Sequence, residues 1–389
     1  MHFFRLLALV ASVTAAPILA ARQAAEIIPG QFIVVMKPEA SDDVVKSTID
    51  AVSNILGGTP PIRTHNIGTF KGFTISAEDS LIVIISDLAD ILYIEPDYLV
   101  TLSVRQTQTN APWGLGRISH RKPGSTDYVY DASAGEGTYA YIIDTGIYVD
   151  HADFGGRANW GINLAGDGLD KDGNGHGTHV AGTTGGSTYG VAKKTNLIAV
   201  KVLDSQGSGT NSQVLAGIEW VVNDAKSKDR IGKSVANLSL GGPRVGESTN
   251  QAAAAAVKAG LFLAVAAGND GLPAELFSPA SEPTVCTVGA TDASDARASF
   301  SNWGPDVDVF APGVDILSTW TGGPDDTEVL SGTSMASPHV AGLAAYLIAL
   351  EGELKPVALC EKVRKLATSG VVSNPGFLTP NLLAFNGAT

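Results

Sequence analysis

From Gln106 to the C-terminus the chain alternates short apolar runs with helical patterns, and this alternation restricts the fold more than any other feature. Residues 139–144, 196–203, 234–240, 261–267 and 284–288 are rich in Val, Ile, Leu and Ala. Strands of that composition need cover on both faces. Helical patterns fall at 176–185, 213–225, 249–259, 334–350 and 356–367. Strands separated by helices predict an α/β fold in layers, with a mainly parallel central sheet. In such sheets chemistry collects at the C-terminal ends of the strands.

A smaller unit precedes this part. Residues 30–36 read as a strand, and 41–56 as an amphipathic helix capped by Ser41, with Val44, Val45, Ile49, Val52 and Ile55 at helical spacing. Residues 70–75 read as a strand and 80–91 as a second helix. Leu92-Tyr93-Ile94-Glu95 then leads into a final strand ending near Val100. One more strand between them completes the β-α-β-β-α-β order of a ferredoxin-like α+β domain over 27–102. The polar run 103–110 reads as an exposed linker and a cleavage site, since Val104 is its one packing residue.

The first residues read as an export signal. His2 and Arg5 precede an apolar run over 6–11 that is too short to span a bilayer, and small residues follow at 14–16. The expected division is a signal over 1–21, its end between 15 and 21, a second segment over 22–105 and a main domain over 106–389. No sorting determinant is legible, so a vacuolar destination stands as the alternative to the extracellular one. Cys286 and Cys360 are the two cysteines, and a pair in an exported chain usually bonds; the alternative is two buried thiols. Lys plus Arg number 26 against 39 Asp plus Glu, a net charge of −13, and no basic stretch could track a phosphate backbone. Nucleic acid is excluded as a partner, no membrane span is expected, and the protein is read as a monomer.

Four polar residues stand where burial is costly unless they are used. Asp144 ends the apolar strand 139–144, His176 opens a small-residue helix, Asn269 follows the strand 261–267, and Ser334 starts a buried helix. Each has an ordinary explanation alone: an Asx turn, a packed histidine, a turn asparagine, a helix cap. Together Ser334, His176 and Asp144 supply a nucleophile, a base and an orienting carboxylate. Asn269 supplies a donor for an oxyanion. Pro338 is tolerable near a helix start, where a missing N–H has no partner.

The motifs around these residues resemble the subtilisin family of serine proteases, and within it the proteinase K group. They are Tyr141-Ile142-Ile143-Asp144-Thr145-Gly146, Asn174-Gly175-His176-Gly177-Thr178-His179, Ala266-Ala267-Gly268-Asn269 and Gly332-Thr333-Ser334-Met335-Ala336-Ser337-Pro338. The order Asp, His, Ser agrees with the family, as do Ala111-Pro112-Trp113-Gly114-Leu115 and Ala311-Pro312-Gly313. The resemblance spans about 109–386, and the 27–102 unit resembles the family's inhibitory propeptide.

The resemblance implies a subtilisin-like three-layer fold and a self-processed zymogen whose propeptide is an intramolecular inhibitor. Ser334 is the nucleophile, His176 the general base and acid, and Asp144 the orienter. Asn269 and the Ser334 N–H form the oxyanion hole. Protein or peptide substrates bind as an extended strand between Gly207-Ser208-Gly209 and Ser239-Leu240-Gly241. Ala266, Ala267 and Gly268 line the primary pocket. No charge is visible there, which implies an apolar or aromatic residue before the scissile bond. No cofactor takes part in the chemistry; a structural calcium ion is implied at the Pro283 and Val285 carbonyls with the Asp308 carboxylate. Cys286 and Cys360 match a family disulfide, while the group's second disulfide is absent.

Other readings fail on spacing. The run from Asp170 to Gly175 imitates half of an EF-hand, but its twelfth position is Ala181 instead of Glu. His176 and His179 lack the zinc-peptidase pattern, and Ala336 breaks the α/β-hydrolase elbow. His179 and His339 are expected to pack within their helices. The sequon at Asn237 lies on an expected buried strand and is expected to stay unmodified.

Overall fold

The structure is a computed structural model that describes residues 15–19, 27–98 and 105–388. The chain divides into two compact units, residues 1–102 and 103–389. Most of the expected export signal, and residues 99–104 at the expected cleavage region, lie outside the described residues.

The first unit runs β1 (Ile27–Met36), α1 (Asp42–Ile55), β2 (Arg63–Ile67), β3 (Phe70–Ser76), α2 (Asp79–Ser86) and β4 (Ile91–Tyr98). Its antiparallel sheet has the order β2-β3-β1-β4, the ferredoxin-like arrangement, and β2 is the strand the sequence left to be filled in. Ser41 caps α1, its hydroxyl accepting from Val44 N at 3.3 Å. The apolar stripe of α1 packs on Val34, Phe73, Ile75 and Ile94. α2 ends earlier than expected. Ser86-Asp87 and Asp90 interrupt its apolar run, but Leu88 and Ile91 keep a helical spacing past the break; Ile91 and Ile94 are instead buried in β4, with Leu92 exposed.

The second unit opens with β5 (Arg105–Gln108), paired antiparallel with β6 (Tyr128–Asp131), with α3 (Trp113–Ser119) between them. This corrects the reading of 103–110 as a linker. β5 is held by main-chain bonds and by Gln108 Nε2 donating to Thr188 O at 3.0 Å, so exposed polar side chains hide it from an apolar-pattern search. There follow β7 (Tyr139–Asp144), β8 (Ala158–Asn163), α4 (His176–Gly185), β9 (Asn196–Lys201), α5 (Asn211–Ser227) and β10 (Ser234–Leu238). Next come β11 (Gly242–Pro243), α6 (Ser248–Lys258), β12 (Phe262–Ala266), β13 (Phe277–Ser278) and β14 (Cys286–Thr291). The rest is β15 (Val309–Pro312), the hairpin β16 (Ile316–Thr319) and β17 (Thr327–Leu330), α7 (Thr333–Glu351), α8 (Pro356–Leu366), β18 (Thr368–Ser369) and β19 (Leu382–Leu383).

The central sheet has the order β18-β19-β15-β14-β12-β10-β7-β9-β8 and is parallel except at β18–β19. Period-two alternation divides its side chains between two cores. Ile142 of β7 packs with Val180 of α4 and Val340 of α7. Its neighbours Tyr141 and Ile143 pack on the other face with Val214 of α5 and Ala253 of α6. Helices therefore cover both faces, giving three layers.

α7 is long and apolar enough to cross a membrane by length and composition, but its apolar window is 83% buried inside the unit, which is why it is apolar all round. It touches α4 closely: a Cβ on Gly342 would lie 2.6 Å from Thr184 O. The disulfide Cys286–Cys360 ties β14 to α8 with Cα atoms 5.7 Å apart and closes a span of 74 residues. A loop of that size is worth about 4 kcal/mol in the chain-entropy account.

Candidate active site

β7, an interior strand of the sheet, ends at Asp144, and α4 begins with His176 beside it. Asp144 is fully buried, and its Oδ1 accepts from His176 Nδ1 at 2.8 Å and from Thr145 N at 2.7 Å. An ionised carboxylate has no proton to give, so Nδ1 carries the hydrogen and Nε2 is left with its lone pair. The His176 side chain keeps 26% of its surface exposed. Burial works against its protonation, but the Asp144 charge and hydrogen bond, with Asp172 farther off, raise its pKa above the ordinary value.

Ser334 is the second residue of α7, and Gly332 is the cap, so the serine does not cap the helix itself. Pro338 lies one turn farther in than a helix start would allow. A proline has no N–H for the carbonyl four residues back, which here is Ser334 O. That carbonyl instead accepts from the Ser239 hydroxyl at 2.6 Å. In return the Ser334 hydroxyl donates to Ser239 O at 3.2 Å. Asn237 is fully buried; it donates to Ser239 Oγ at 2.8 Å and accepts from Ser337 Oγ at 2.7 Å, which leaves no room for a glycan.

Asn269 follows β12. Its Oδ1 accepts from Thr333 N and from Thr333 Oγ1, both at 2.8 Å. With the oxygen so held, the amide nitrogen is turned the other way, toward Gly332, where an added Cβ would stand 3.8 Å from it. Thr333, which orients this amide, was not singled out from the sequence. Its place in the Gly-Thr-Ser motif was the available signal.

A cleft of about 580 Å³ opens beside His176. Gly207-Ser208-Gly209 line one part and Ser239-Leu240-Gly241 another, so both expected rails meet on one cavity. A side chain at Gly209 would collide with Val202 O, 2.4 Å from its Cβ. Ala266, Ala267 and Gly268 stand next to Asn269 at the end of β12 and do not line this cleft; Ala267 is buried in a cluster with Phe310. His179 donates to Ile316 O at 2.9 Å and His339 to Met335 O at 2.9 Å. Burial pushes both down to about 4, so they are neutral packing residues.

At the expected cation position, Asp308 Oδ2 accepts from Thr287 N at 3.0 Å, and Oδ1 faces Arg364 across 3.5 Å. Burial raises the Asp308 carboxyl to about 6. Two carbonyls and an under-compensated carboxylate are hard oxygen donors, a set that fits calcium. The nearby Cys286 and Cys360 sulfurs are bonded to each other and offer no thiolate.

The profile of the Subtilase family, Peptidase_S8, matches residues 135–377. A subtilisin-like protease of Coccidioides posadasii is 49% identical over 391 residues, covering 98% of this chain and 97% of that one. A subtilisin-like serine protease of Sarocladium strictum is 50% identical over 372 residues, covering 96% and 93%. The crystal structure of a cold adapted subtilisin-like serine proteinase superposes with a TM-score of 0.67 at 44% identity, over 72% of this chain and 99% of that one. With the parallel sheet, the Asp144–His176 pair and the Ser334 helix start, these likenesses place the chain in the subtilase family, as a serine-type endopeptidase.

Proposed function

We propose that the protein is an exported endopeptidase of broad specificity, made as a precursor and acting through Asp144, His176 and Ser334. The observation that carries this reading is the 2.8 Å bond from His176 to a fully buried Asp144, on a cleft that Ser239, the hydrogen-bond partner of Ser334, also lines. His176 Nε2 takes the Ser334 proton as Oγ attacks the scissile carbonyl. It later returns that proton to the leaving amine, while Asp144 steadies the imidazolium. The step requires the Ser334 hydroxyl to leave Ser239 O by rotation about Cα–Cβ, a fast motion at a surface cleft. Asn269 Nδ2 and Ser334 N–H receive the oxyanion; loss of one such donor costs on the order of 10²–10³ in kcat, a magnitude known from subtilisin itself.

The rails bind substrate by main-chain pairing, which is indifferent to most side chains. Ala266 and Gly268, at the end of β12 beside Asn269, would border the pocket for an apolar or aromatic residue, with Ala267 buried behind them. The 27–102 unit acts as inhibitor and folding aid until cleavage near 104–106. Pro283 O, Val285 O and the Asp308 carboxylate would hold a calcium ion that braces loops and takes no part in chemistry.

Ser334→Ala is expected to lower casein hydrolysis by a factor on the order of 10⁶, the subtilisin value, and to leave the precursor uncut. The processed wild-type protein, sequenced from its N-terminus, should begin near Arg105 or Gln106. Unchanged hydrolysis in the variant would overturn the reading; a start beyond Trp113 would move the boundary. Fractionation of the producing cells separates extracellular from vacuolar delivery.

A further inference from the structure

Asp172 belongs to neither the proposed triad nor the oxyanion pair, yet its side chain is 6% exposed and heavily engaged. Oδ1 accepts from Thr145 Oγ1 at 2.9 Å, Asn174 N at 3.0 Å and Gly175 N at 2.9 Å. Oδ2 accepts from Thr178 N at 2.9 Å and Thr178 Oγ1 at 2.6 Å. Thr145 follows Asp144, and its hydroxyl also accepts from Gly177 N at 2.9 Å. Asn174, Gly175 and Thr178 surround His176. One carboxylate thus ties the end of β7, which carries Asp144, to the first turn of α4, which carries His176.

The chemistry of the cage requires a carboxylate. Its partners are all donors, among them first-turn N–H groups that lack helical acceptors. An asparagine would offer one oxygen and turn an amide N–H against two or more of those donors. A negative charge also suits the positive end of α4. The titratable groups that bear on His176 are Asp144, Asp172 and His179. Of these Asp144 and Asp172 favour the imidazolium that forms during acyl transfer, and Asp172 is the one not in contact with the ring.

We propose that Asp172 is a positioning residue for the peptidase reaction: its ionised carboxylate fixes how Asp144 meets His176 and supplies a second negative charge to the imidazolium. This rests on the triad reading above.

The test uses the processed protein with Asp172→Asn and Asp172→Glu, reading kcat, KM, the pH profile of kcat/KM and the rate of labelling by a serine-directed phosphonate. Asp172→Asn should lower kcat about 10- to 100-fold, as small displacements of reacting groups do, with KM within about twofold. Its acid limb should move to lower pH by about half a unit, since one of the charges holding the proton is gone. Asp172→Glu keeps the charge but not the reach, so kcat should fall while the acid limb stays. A folded Asp172→Asn with wild-type kcat and acid limb overturns the proposal, even if its melting temperature drops. If Asp172→Asn does not fold, a folded Asp172→Glu with wild-type kcat overturns it. The triad reading fails by a separate result: activity that survives Ser334→Ala with Asp172 intact.

Discussion

The two units solve the same problem with different means. The 27–98 region covers one face of a four-stranded antiparallel sheet with two helices and leaves Ile62, Ile67 and Phe70 exposed on its β2–β3 side, with Val83 and Ile84 exposed on α2. The second unit covers both faces of nine strands and adds a disulfide. A small domain buries a lower fraction of its surface, so each kilocalorie is a larger share of its stability. Under the precursor reading proposed above, one part would have to persist and the other would have only to fold, inhibit and be removed. It also means that perturbations of similar size should register differently in the two units.

The largest expected contrast is with pH. His179 and His339 are held neutral in the folded second unit, with values driven down to about 4 by burial. In the unfolded chain a histidine titrates near about 6.5. Between those values the unfolded state binds more protons, so stability is full above about pH 6.5 and falls as pH drops toward 4, by about 1.4 kcal/mol per pH unit for each residue. Thermal unfolding of the Ser334→Ala protein from pH 7 to 4.5 should show the second unit losing stability, with the Asp308 carboxyl, raised to about 6, offsetting one of the two histidine protons below that pH. Both of these histidines lie in the second unit, so the first should lose less over that window. His339→Phe should flatten the slope by one proton. An unchanged slope would mean that His339 is not the group responsible.

Calcium should come next in size. Its proposed ligands lie in the second unit alone, so a free concentration a hundredfold above Kd should stabilise that unit by about 2.7 kcal/mol and leave the first untouched. Differential scanning calorimetry with calcium and then with chelator checks this. An equal shift in both units, or no shift, would remove the cation from the Asp308 position.

What was legible in the sequence divides along similar lines. β7 and α4 were read to the residue because a continuous apolar strand stops at Asp144 and a small-residue helix starts at His176. Those two boundaries are also where the site is, but that Asp144 and His176 act together follows from the family motifs, since each alone has an ordinary explanation and β8 separates their elements in the chain. β5, α3, β8 and β15 were not read. β5 is held by its backbone, and α3 contains two glycines in seven residues. β15 is four residues long, too short for its period to register. Asp172 was weighed only as part of a cation loop, because its five donors come from residues 145 to 178 and assemble only in the fold. Thr333 was passed over for a related reason: its partner Asn269 is 64 residues away.

The smallest effect offers the sharpest comparison. Ser41 caps α1 in the first unit through one bond to Val44 N. Thr210 caps α5 in the second with a reciprocal box, its Oγ1 accepting from Gln213 N at 3.3 Å and Gln213 Oε1 accepting from Thr210 N at 2.6 Å. Ser41→Ala and Thr210→Ala should each cost about 1 kcal/mol. That loss moves the melting temperature by about 4–8 °C in a domain of 60–100 residues and by about 2–4 °C or less in one of 150 residues or more. Two calorimetric transitions, with the Ser41 variant shifting its own by roughly twice as much, would establish that the units melt separately and that the first is the weaker. A single transition shifted equally by both variants would show that the units unfold as one body, and the contrast drawn between them would then hold for their sequences and cores but not for their stability.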